Sequence, residues 1–291
     1  MLAHETNLAS ISAKDARLTA NVIATMMAGW RSGSRRRAIE GGPGALASEV
    51  SDLLEQAIAA HGGRDLWANA NEVAVRVSSG GLAFATKLQG SAVRDVEARV
   101  STRAQQVVFS PYPQPGQRGV LRPDGSVRIE TDAGGLVQVR TGARAAFGDL
   151  RHKLWWDKLD ILYFGAYAIW TYVSTPFVFV QEGYEVRELE PWEENHERWR
   201  RLAVTFPEGV HTHSREQVFY FDGDGVLRRH DYTAEPLGSL AKAAHYCFEH
   251  RVFDGMLVPT RRRVFPRRRN NRHRSRPLLV WIEVKHAAVR R

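Results

Sequence analysis

The chain has 291 residues, with 41 Lys or Arg against 32 Asp or Glu, a formal net charge of +9. Residues 259–291 hold twelve of the basic residues and one acid, Glu283, a local net of +11. The other 258 residues hold 29 basic and 31 acidic side chains, a net of −2. Because the excess charge is local, the composition excludes a globally basic nucleic-acid-binding domain.

Cysteine usage and the N-terminal residues bear on the cellular compartment. A single cysteine, Cys247, excludes an internal disulfide and fits a reducing environment. No basic segment followed by an apolar run and a small-residue cleavage site is visible at the N-terminus. These observations predict a cytoplasmic protein.

The first part of the chain divides into an extension and the start of a domain. Residues 1–46 combine a weak helical pattern with a Ser/Gly/Arg segment at 31–37 and Gly-Gly-Pro-Gly at 41–44, which is typical of a linker. Residues 48–60 form a predicted helix with one apolar stripe, ended by Gly62 and Gly63. We therefore predict a helical or linker-like extension over 1–46 and a ligand-binding domain over 47–291.

Most of the domain has the period-two alternation of strands. Residues 73–77, 82–88, 93–101 and 105–109 are predicted to be extended, with turn signals at 121–125 and 131–135. A second series of strands follows between residues 185 and 285, with Asp-Gly turns at 222–225 and 254–255. The arginine-rich segment 267–276 lies between the last two predicted strands and is therefore predicted to be a hairpin loop.

One apolar helix separates the two series of strands. Residues 157–173 are apolar on nearly every face, which is typical of a helix buried on more than one side. Residues 161–181 contain no charge, but Pro176 and several hydroxyl side chains favour a buried helix followed by a strand over a membrane span. The predicted fold class is α+β: a strongly bent antiparallel sheet, an incomplete barrel, wrapped around this aromatic helix, with an N-terminal helix.

Several motifs resemble those of a known fold. Along the chain they are AAHGG at 59–63 with Trp67, YFGAYAIW at 163–170, TPF at 175–177, THS at 212–214, GVLRRHDY at 225–232 and PTRRR at 259–263. The order of elements resembles that of the periplasmic outer-membrane lipoprotein carriers (the LolA-like fold) and related mycobacterial lipoproteins. The motifs resemble an uncharacterised bacterial family of that fold over about residues 47–288. The resemblance implies a bent sheet around an apolar cavity and a lipophilic ligand, but no reaction.

The aromatic helix is the first candidate site. Its aromatic side chains, and the two tryptophans just before it, could line a pocket for an apolar ligand or could simply fill the core. The predicted ligand-binding residues are Trp155, Trp156, Tyr163, Phe164, Tyr167 and Trp170.

The histidines are the second candidate site. If residues 211–213 form a strand, His211 and His213 share a face, as in some metal sites, but no third ligand of matching parity follows. His230 and Tyr232 also share a face on a predicted strand, and His245 joins them if the neighbouring strand pairs suitably. A histidine base and a tyrosine donor would suit isomerase or cyclase-type chemistry on a hydrophobic substrate. The alternative is a structural hydrogen-bond network within the sheet.

Two hypotheses for function remain open. The first is binding of a lipophilic small molecule in the cup of the bent sheet. The second is a cofactor-independent enzyme in the same cavity, with His230, Tyr232, His213 and His245 as its acid–base residues. Neither a metal nor another cofactor is predicted, and neither specific nucleic-acid binding nor integral membrane insertion is expected. A weak contact with anionic surfaces is predicted for Arg267, Arg268, Arg269, Arg272, Arg274 and Arg276.

Overall fold

A computed structural model describes residues 43–90 and 93–291 of the chain. Nearly all of the predicted extension 1–46 lies outside the described residues, so its boundary with the sheet domain stays a prediction. The helices are α1 (Pro43–Ala60), α2 (Arg64–Asn69), α3 (Leu82–Ala85), α4 (Ala143–Ala146), α5 (Leu150–Leu154) and α6 (Lys158–Ser174), with 3-10 turns at Phe177–Val180 and Glu235–Leu237.

Thirteen described strands form one antiparallel sheet. They are β1 (Glu72–Gly80), β2 (Val93–Ser101), β3 (Val107–Ser110), β4 (Gln117–Leu121), β5 (Val127–Thr131), β6 (Leu136–Arg140), β7 (Glu185–Glu194), β8 (Glu197–Thr205), β9 (Glu216–Phe221), β10 (Leu227–Thr233), β11 (Lys242–Phe253), β12 (Met256–Pro266) and β13 (Val280–Arg290). The order is β6-β5-β4-β3-β2-β1-β13-β12-β11-β10-β9-β8-β7. Each series of strands is a meander, and the two meanders join where β1 pairs with β13. The sheet ends at β6 and β7 and does not close into a barrel, which confirms the predicted fold class.

Helix α6 connects the two edge strands and lies against the inner face of the sheet. Fifteen of its seventeen residues are buried. Asp157 and Asp160 form a reciprocal capping box at its first turn, where Arg140 pairs with both carboxylates. The predicted helix over 157–173 is confirmed, and its lack of a polar face follows from being enclosed by the sheet. None of the described helices combines the length and apolar character that crossing a bilayer requires.

The helix approaches the first meander very closely. A Cβ atom added at Gly119 on β4 would lie 2.6 Å from Leu162 Cδ1 and 2.7 Å from Tyr112 Cδ1. This position therefore needs a residue without a side chain, and the inner face of β2–β5 is filled by α6. Two predicted strands are wrong. Residues 82–88 turn through α3, because β1 ends at Gly80 and Gly81 takes a φ of +125°. The strand predicted after the buried helix is instead the 3-10 turn Phe177–Val180.

Candidate functional site

Strands β10, β11 and β12 place polar side chains on both faces of the sheet. The register pairs His230 with His245, and Cys247 with Arg262. Because side chains alternate along a strand, these residues and Tyr232 share the inner face, towards α6. The predicted meeting of His230, Tyr232 and His245 on paired strands is thus what the structure shows.

His213 joins the inner-face cluster from the loop before β9. This loop, and not a strand, carries residues 211–213, so His211 and His213 do not share a strand face. The two ring nitrogens of His213 contact two tyrosine hydroxyls of α6, Tyr167 at 3.1 Å and Tyr172 at 2.8 Å. A neutral imidazole has one donor and one acceptor, so one hydroxyl donates to the ring while the other accepts from it. The ring also stacks on Tyr232, with centroids 4.0 Å apart.

His230 and His245 have unequal partners. His230 Nε2 lies 2.5 Å from Gln217 Oε1, and the His230 ring stacks on Phe219. Gln217 Nε2 donates to the carbonyl of Ser214 at 2.7 Å, which orients the amide and makes Oε1 the acceptor for His230. His245 Nδ1 lies a long 3.5 Å from the Tyr232 hydroxyl, and its Nε2 has no hydrogen-bond partner in the structure.

Burial keeps the ionisable groups of this cluster neutral near pH 7. Burial lowers the pKa of His213 to about 3 and holds the pKa values of His230 and His245 well below their ordinary value. It raises the pKa of Tyr172 to about 12, and the pKa of Tyr232 lies well above its ordinary value. The cluster is a network of neutral donors and acceptors.

Arg262 is the charged member of the inner face. Its side chain is 4% exposed, and no carboxylate of the described residues lies within ion-pair distance. Nη1 donates to Cys247 Sγ at 3.3 Å and Nη2 donates to the Tyr172 carbonyl at 3.4 Å. The guanidinium also stands 4.8 Å from the centre of the Tyr172 ring. These contacts use two of its five N–H donors in long hydrogen bonds.

A small cleft opens beside Arg262. It lies between the C-terminal half of α6, the end of α1 and strands β1, β10, β12 and β13, and its volume is about 20 Å³. Its lining is mainly aliphatic, and Arg262 is the charged residue among the described residues that form it. The lining residues are His61, Val73, Val75, Ile169, Tyr172, Val173, Thr175, Leu227, Met256, Leu257, Val258, Pro259, Arg262 and Val284.

The six aromatic residues predicted to bind a ligand lie elsewhere on or near α6. Trp155 is 40% exposed beneath the Arg151 guanidinium, whereas Trp156 is buried and donates to the His152 carbonyl. The other four are buried: Tyr163 contacts His211, Phe164 packs on Phe84, Tyr167 contacts His213, and Trp170 donates to the Ala104 carbonyl.

None of these six borders the cleft in the described part of the chain, and their role in binding stays a prediction. Their helical neighbours Ile169, Tyr172 and Val173 border it instead. Sequence reasoning missed Arg262, although the alternation Val258, Thr260, Arg262, Val264 places it on the inward parity of β12.

Among the described residues, no three His, Cys, Asp or Glu side chains are grouped so that they could hold a metal ion. His211 and His213 each contact tyrosine hydroxyls of α6. The prediction that the protein uses no cofactor therefore stays a prediction.

The arginine-rich segment is a loop between β12 and β13, as predicted, and part of it packs on the outer face. Arg229 on β10 forms a bidentate pair with Asp231 at 2.7 and 2.8 Å and also contacts Glu194 at 2.9 Å. Arg229 donates to the Asn271 carbonyl, and His273 contacts Glu194. Among the six arginines predicted to contact anionic surfaces, Arg267 is half-buried near Asp231, while the rest are exposed: Arg268, Arg269, Arg272, Arg274 and Arg276. That surface contact stays a prediction.

Comparison with known proteins bears on the fold. No family model and no curated protein matches the chain. Similar solved structures include a DUF1329 family protein from Desulfovibrio piger (11% identity, TM-score 0.47, 82% of this chain and 92% of that one). They also include a LolA-superfamily protein from Nitrosomonas europaea (10%, 0.47, 83% and 94%) and an outer-membrane lipoprotein-sorting protein domain from Vibrio parahaemolyticus (10%, 0.46, 83% and 92%). These neighbours include members of the carrier fold that the sequence motifs resemble. With identities of 10–11% and TM-scores below 0.5, they carry no argument about function.

The cytoplasmic location predicted from the sequence does not stand, because the single cysteine that favoured it does not distinguish between compartments. Two of the similar structures are described as a LolA-superfamily protein and an outer-membrane lipoprotein-sorting protein domain, and neither description names a cytoplasmic protein. The prediction gave too much weight to the cysteine count. Cys247 is buried and has no second cysteine to pair with, so its thiol is compatible with either redox environment.

Proposed function

We propose that this protein binds a lipophilic small molecule in the cleft between α6 and strands β1, β10, β12 and β13. The observation that supports the proposal is the lining: valine, leucine, isoleucine and methionine side chains converge there from α6 and from four strands. Apolar pockets with a few fixed polar groups are the usual form of a small-molecule site. Burial of apolar ligand surface would supply about 25 cal/mol per Å².

The cleft must widen to accept such a ligand. Its volume of about 20 Å³ has room for a water-sized group and not for a hydrocarbon chain. His61 marks the end of α1 at one border, and Gly62 and Gly63 follow it with φ angles of +126° and +84°. Ligand binding is therefore coupled to a small displacement at the end of α1 or of the side chains opposite it.

The test is a fluorescence titration with the neutral apolar probe N-phenyl-1-naphthylamine. The wild-type protein is expected to bind it saturably, and Val258→Phe, which fills the cleft, is expected to weaken binding by about tenfold or more. The matched control is Val252→Phe, at an exposed position of the neighbouring strand, which should bind as the wild type does. Ile169→Ala, which enlarges the cleft, should bind more tightly. Absence of saturable binding, or equal loss in both phenylalanine variants, would overturn the proposal.

The acid–base alternative has its residues assembled but no observation that favours it. His213, His230 and His245 surround Tyr232 on the inner face, yet burial lowers the pKa values of all three imidazoles. A general base works best with a pKa near the operating pH. All four side chains are buried and hydrogen-bond to one another or to neighbouring protein groups, as in the structural network that the sequence left open. Catalysis by them stays a prediction.

A further inference from the structure

Arg262 carries a charge that the described structure does not neutralise. An isolated charge in the protein interior is costly unless an opposite charge and hydrogen bonds compensate for it. The other fully buried arginine, Arg229, has Asp231 and Glu194 as carboxylate partners. The half-buried Arg140 likewise pairs with Asp157 and Asp160. Arg262 thus differs from Arg229 and Arg140, whose guanidinium groups each pair with two carboxylates.

The groups around Arg262 cannot supply the missing negative charge near pH 7. Burial raises the pKa values of Cys247 and Tyr172, so both stay protonated, and the nearby histidines stay neutral. Cys247 and the Tyr172 carbonyl accept one hydrogen bond each, both of them long. The guanidinium therefore keeps N–H donors for a further acceptor.

A second polar atom with an unmet hydrogen bond belongs to the same cleft. His61 is 3% exposed; its Nδ1 donates to the Ala57 carbonyl at 2.7 Å, and its Nε2 has no partner in the structure. Because Nδ1 carries the proton, Nε2 presents a lone pair. His61 and Arg262 border a cleft whose other residues are almost all apolar. One cation beside an aliphatic lining has the chemistry of a site for an amphiphile with an anionic head, while the His61 lone pair could accept a hydrogen bond only from a donor such as a water molecule.

We infer that the ligand of this cleft is a carboxylate-headed amphiphile, whose head pairs with Arg262 and whose hydrocarbon chain lies along the aliphatic lining. The inference rests on the proposed function and names its ligand class. A guanidinium binds a carboxylate through two parallel hydrogen bonds, which gives such a pair both strength and orientation. The head would replace the missing counter-ion, while a neutral ligand of equal length would leave the charge of Arg262 buried and unpaired.

The test compares two displacing ligands with the same chain, dodecanoate and dodecan-1-ol, against bound N-phenyl-1-naphthylamine. For the wild type, dodecanoate is expected to displace the probe at a concentration about tenfold lower than the alcohol. Arg262→Met should bring the two within about twofold and leave displacement by the alcohol intact. The matched control is Arg263→Met, which removes the neighbouring arginine, paired with Glu283 on the outer face, and should keep the preference.

A second variant tests the charge without removing the arginine. Cys247→Asp places a carboxylate directly across from Arg262 in the strand register, where it would act as an internal counter-ion. It too should abolish the preference for dodecanoate. Equal displacement by both ligands in the wild type, or a preference that survives in Arg262→Met, would overturn the inference while leaving the apolar cleft in place. Acetate binding as tightly as dodecanoate would indicate a small-anion site and would also overturn it. Failure of probe and both ligands to bind would overturn the proposed function itself.

Discussion

The two faces of strands β10–β12 hold polar side chains of very different kinds. On the outer face, Arg229 is surrounded by the carboxylates of Asp231 and Glu194. On the inner face, His230, His245 and Arg262 are equally buried, but no carboxylate accompanies them in the described structure. Both clusters come from the same three strands, because alternation sends successive residues to opposite faces.

The difference fits the proposed division between a structural role for the outer face and a binding role for the inner face. The outer cluster is paired internally. Its arginine, Arg229, forms a bidentate pair with Asp231, and the loop after β12 covers Arg229 through the Asn271 carbonyl. Within the described part of the chain, His245 Nε2 on the inner face and His61 Nε2 at the end of α1 have no hydrogen-bond partner, and no ion pair joins Arg262 to a carboxylate. Of these groups, His61 and Arg262 line the cleft, and an unmatched charge beside an apolar cleft is where an anionic ligand would gain most by binding.

Lowering the pH should have the largest effect on stability of the changes considered for the two faces. The pKa values of His61, His213, His230 and His245 are all lowered in the folded protein, to about 4 for His61 and about 3 for His213. As pH falls below about 6.5, the unfolded chain takes up these protons first. The free energy of unfolding should therefore fall by about 1.4 kcal/mol per pH unit for each histidine, until its folded pKa is reached.

Urea unfolding at pH 7.5, 6.5, 5.5 and 4.5 measures this loss. On the outer face, Glu194 should contribute in a lower window: burial alone would raise its pKa, but hydrogen bonds and the Arg229 charge outweigh burial and lower it from 4.5. Its contribution is present above pH 4.5 and is lost below it. Replacing His245 by glutamine should reduce the slope between pH 6.5 and 4.5. A free energy of unfolding that stays constant from pH 7.5 to 5.5 would contradict the burial of neutral histidines.

Removal of the outer arginine should be the most damaging single change. Arg229→Met would leave Asp231 and Glu194 buried without their cation, a change that typically costs about 3–5 kcal/mol. Arg228→Met is the control: Arg228 is the preceding residue and pairs with Asp222 at 38% exposure, so its loss should cost about 1 kcal/mol or less. Urea denaturation of both variants measures the two values. Equal losses would show that the outer network is not an interdependent ion cluster.

Local pattern predicted the elements of both faces. Alternation placed His230 and Tyr232 together, the Asp-Gly turn before β10 indicated the hairpin, and the uniform apolarity of residues 157–173 indicated the buried helix. These features depend on neighbours in the chain, so single-sequence reasoning reaches them. The meeting of His230 with His245 needed only one hairpin register.

The partners from distant segments could not be predicted. His213 meets Tyr172 across 41 residues, and Arg229 meets Asn271 across 42. In the sequence, Arg262 differs from Arg261 and Arg263 only in its position in the alternation of β12. That position shows which face Arg262 lies on only when the strand and its inner face are known. The basic excess of the C-terminal segment likewise divides into surface arginines, one outer-face partner in Arg267 and the inner-face Arg262.

The smallest stability effect should come from the inner arginine, and it decides between two roles for Arg262. If Arg262 awaits an external carboxylate, Arg262→Met removes an unpaired buried charge and fills the same space with an apolar chain, so the free energy of unfolding should change by less than about 1 kcal/mol or rise. Thermal unfolding with and without dodecanoate completes the measurement: the ligand should raise the Tm of the wild type more than that of Arg262→Met, because stabilisation follows affinity. If Arg262→Met lowered the free energy of unfolding about as much as Arg229→Met, the fold itself would depend on Arg262. Both arginines would then be structural, and the two faces would differ only in the geometry of their contacts.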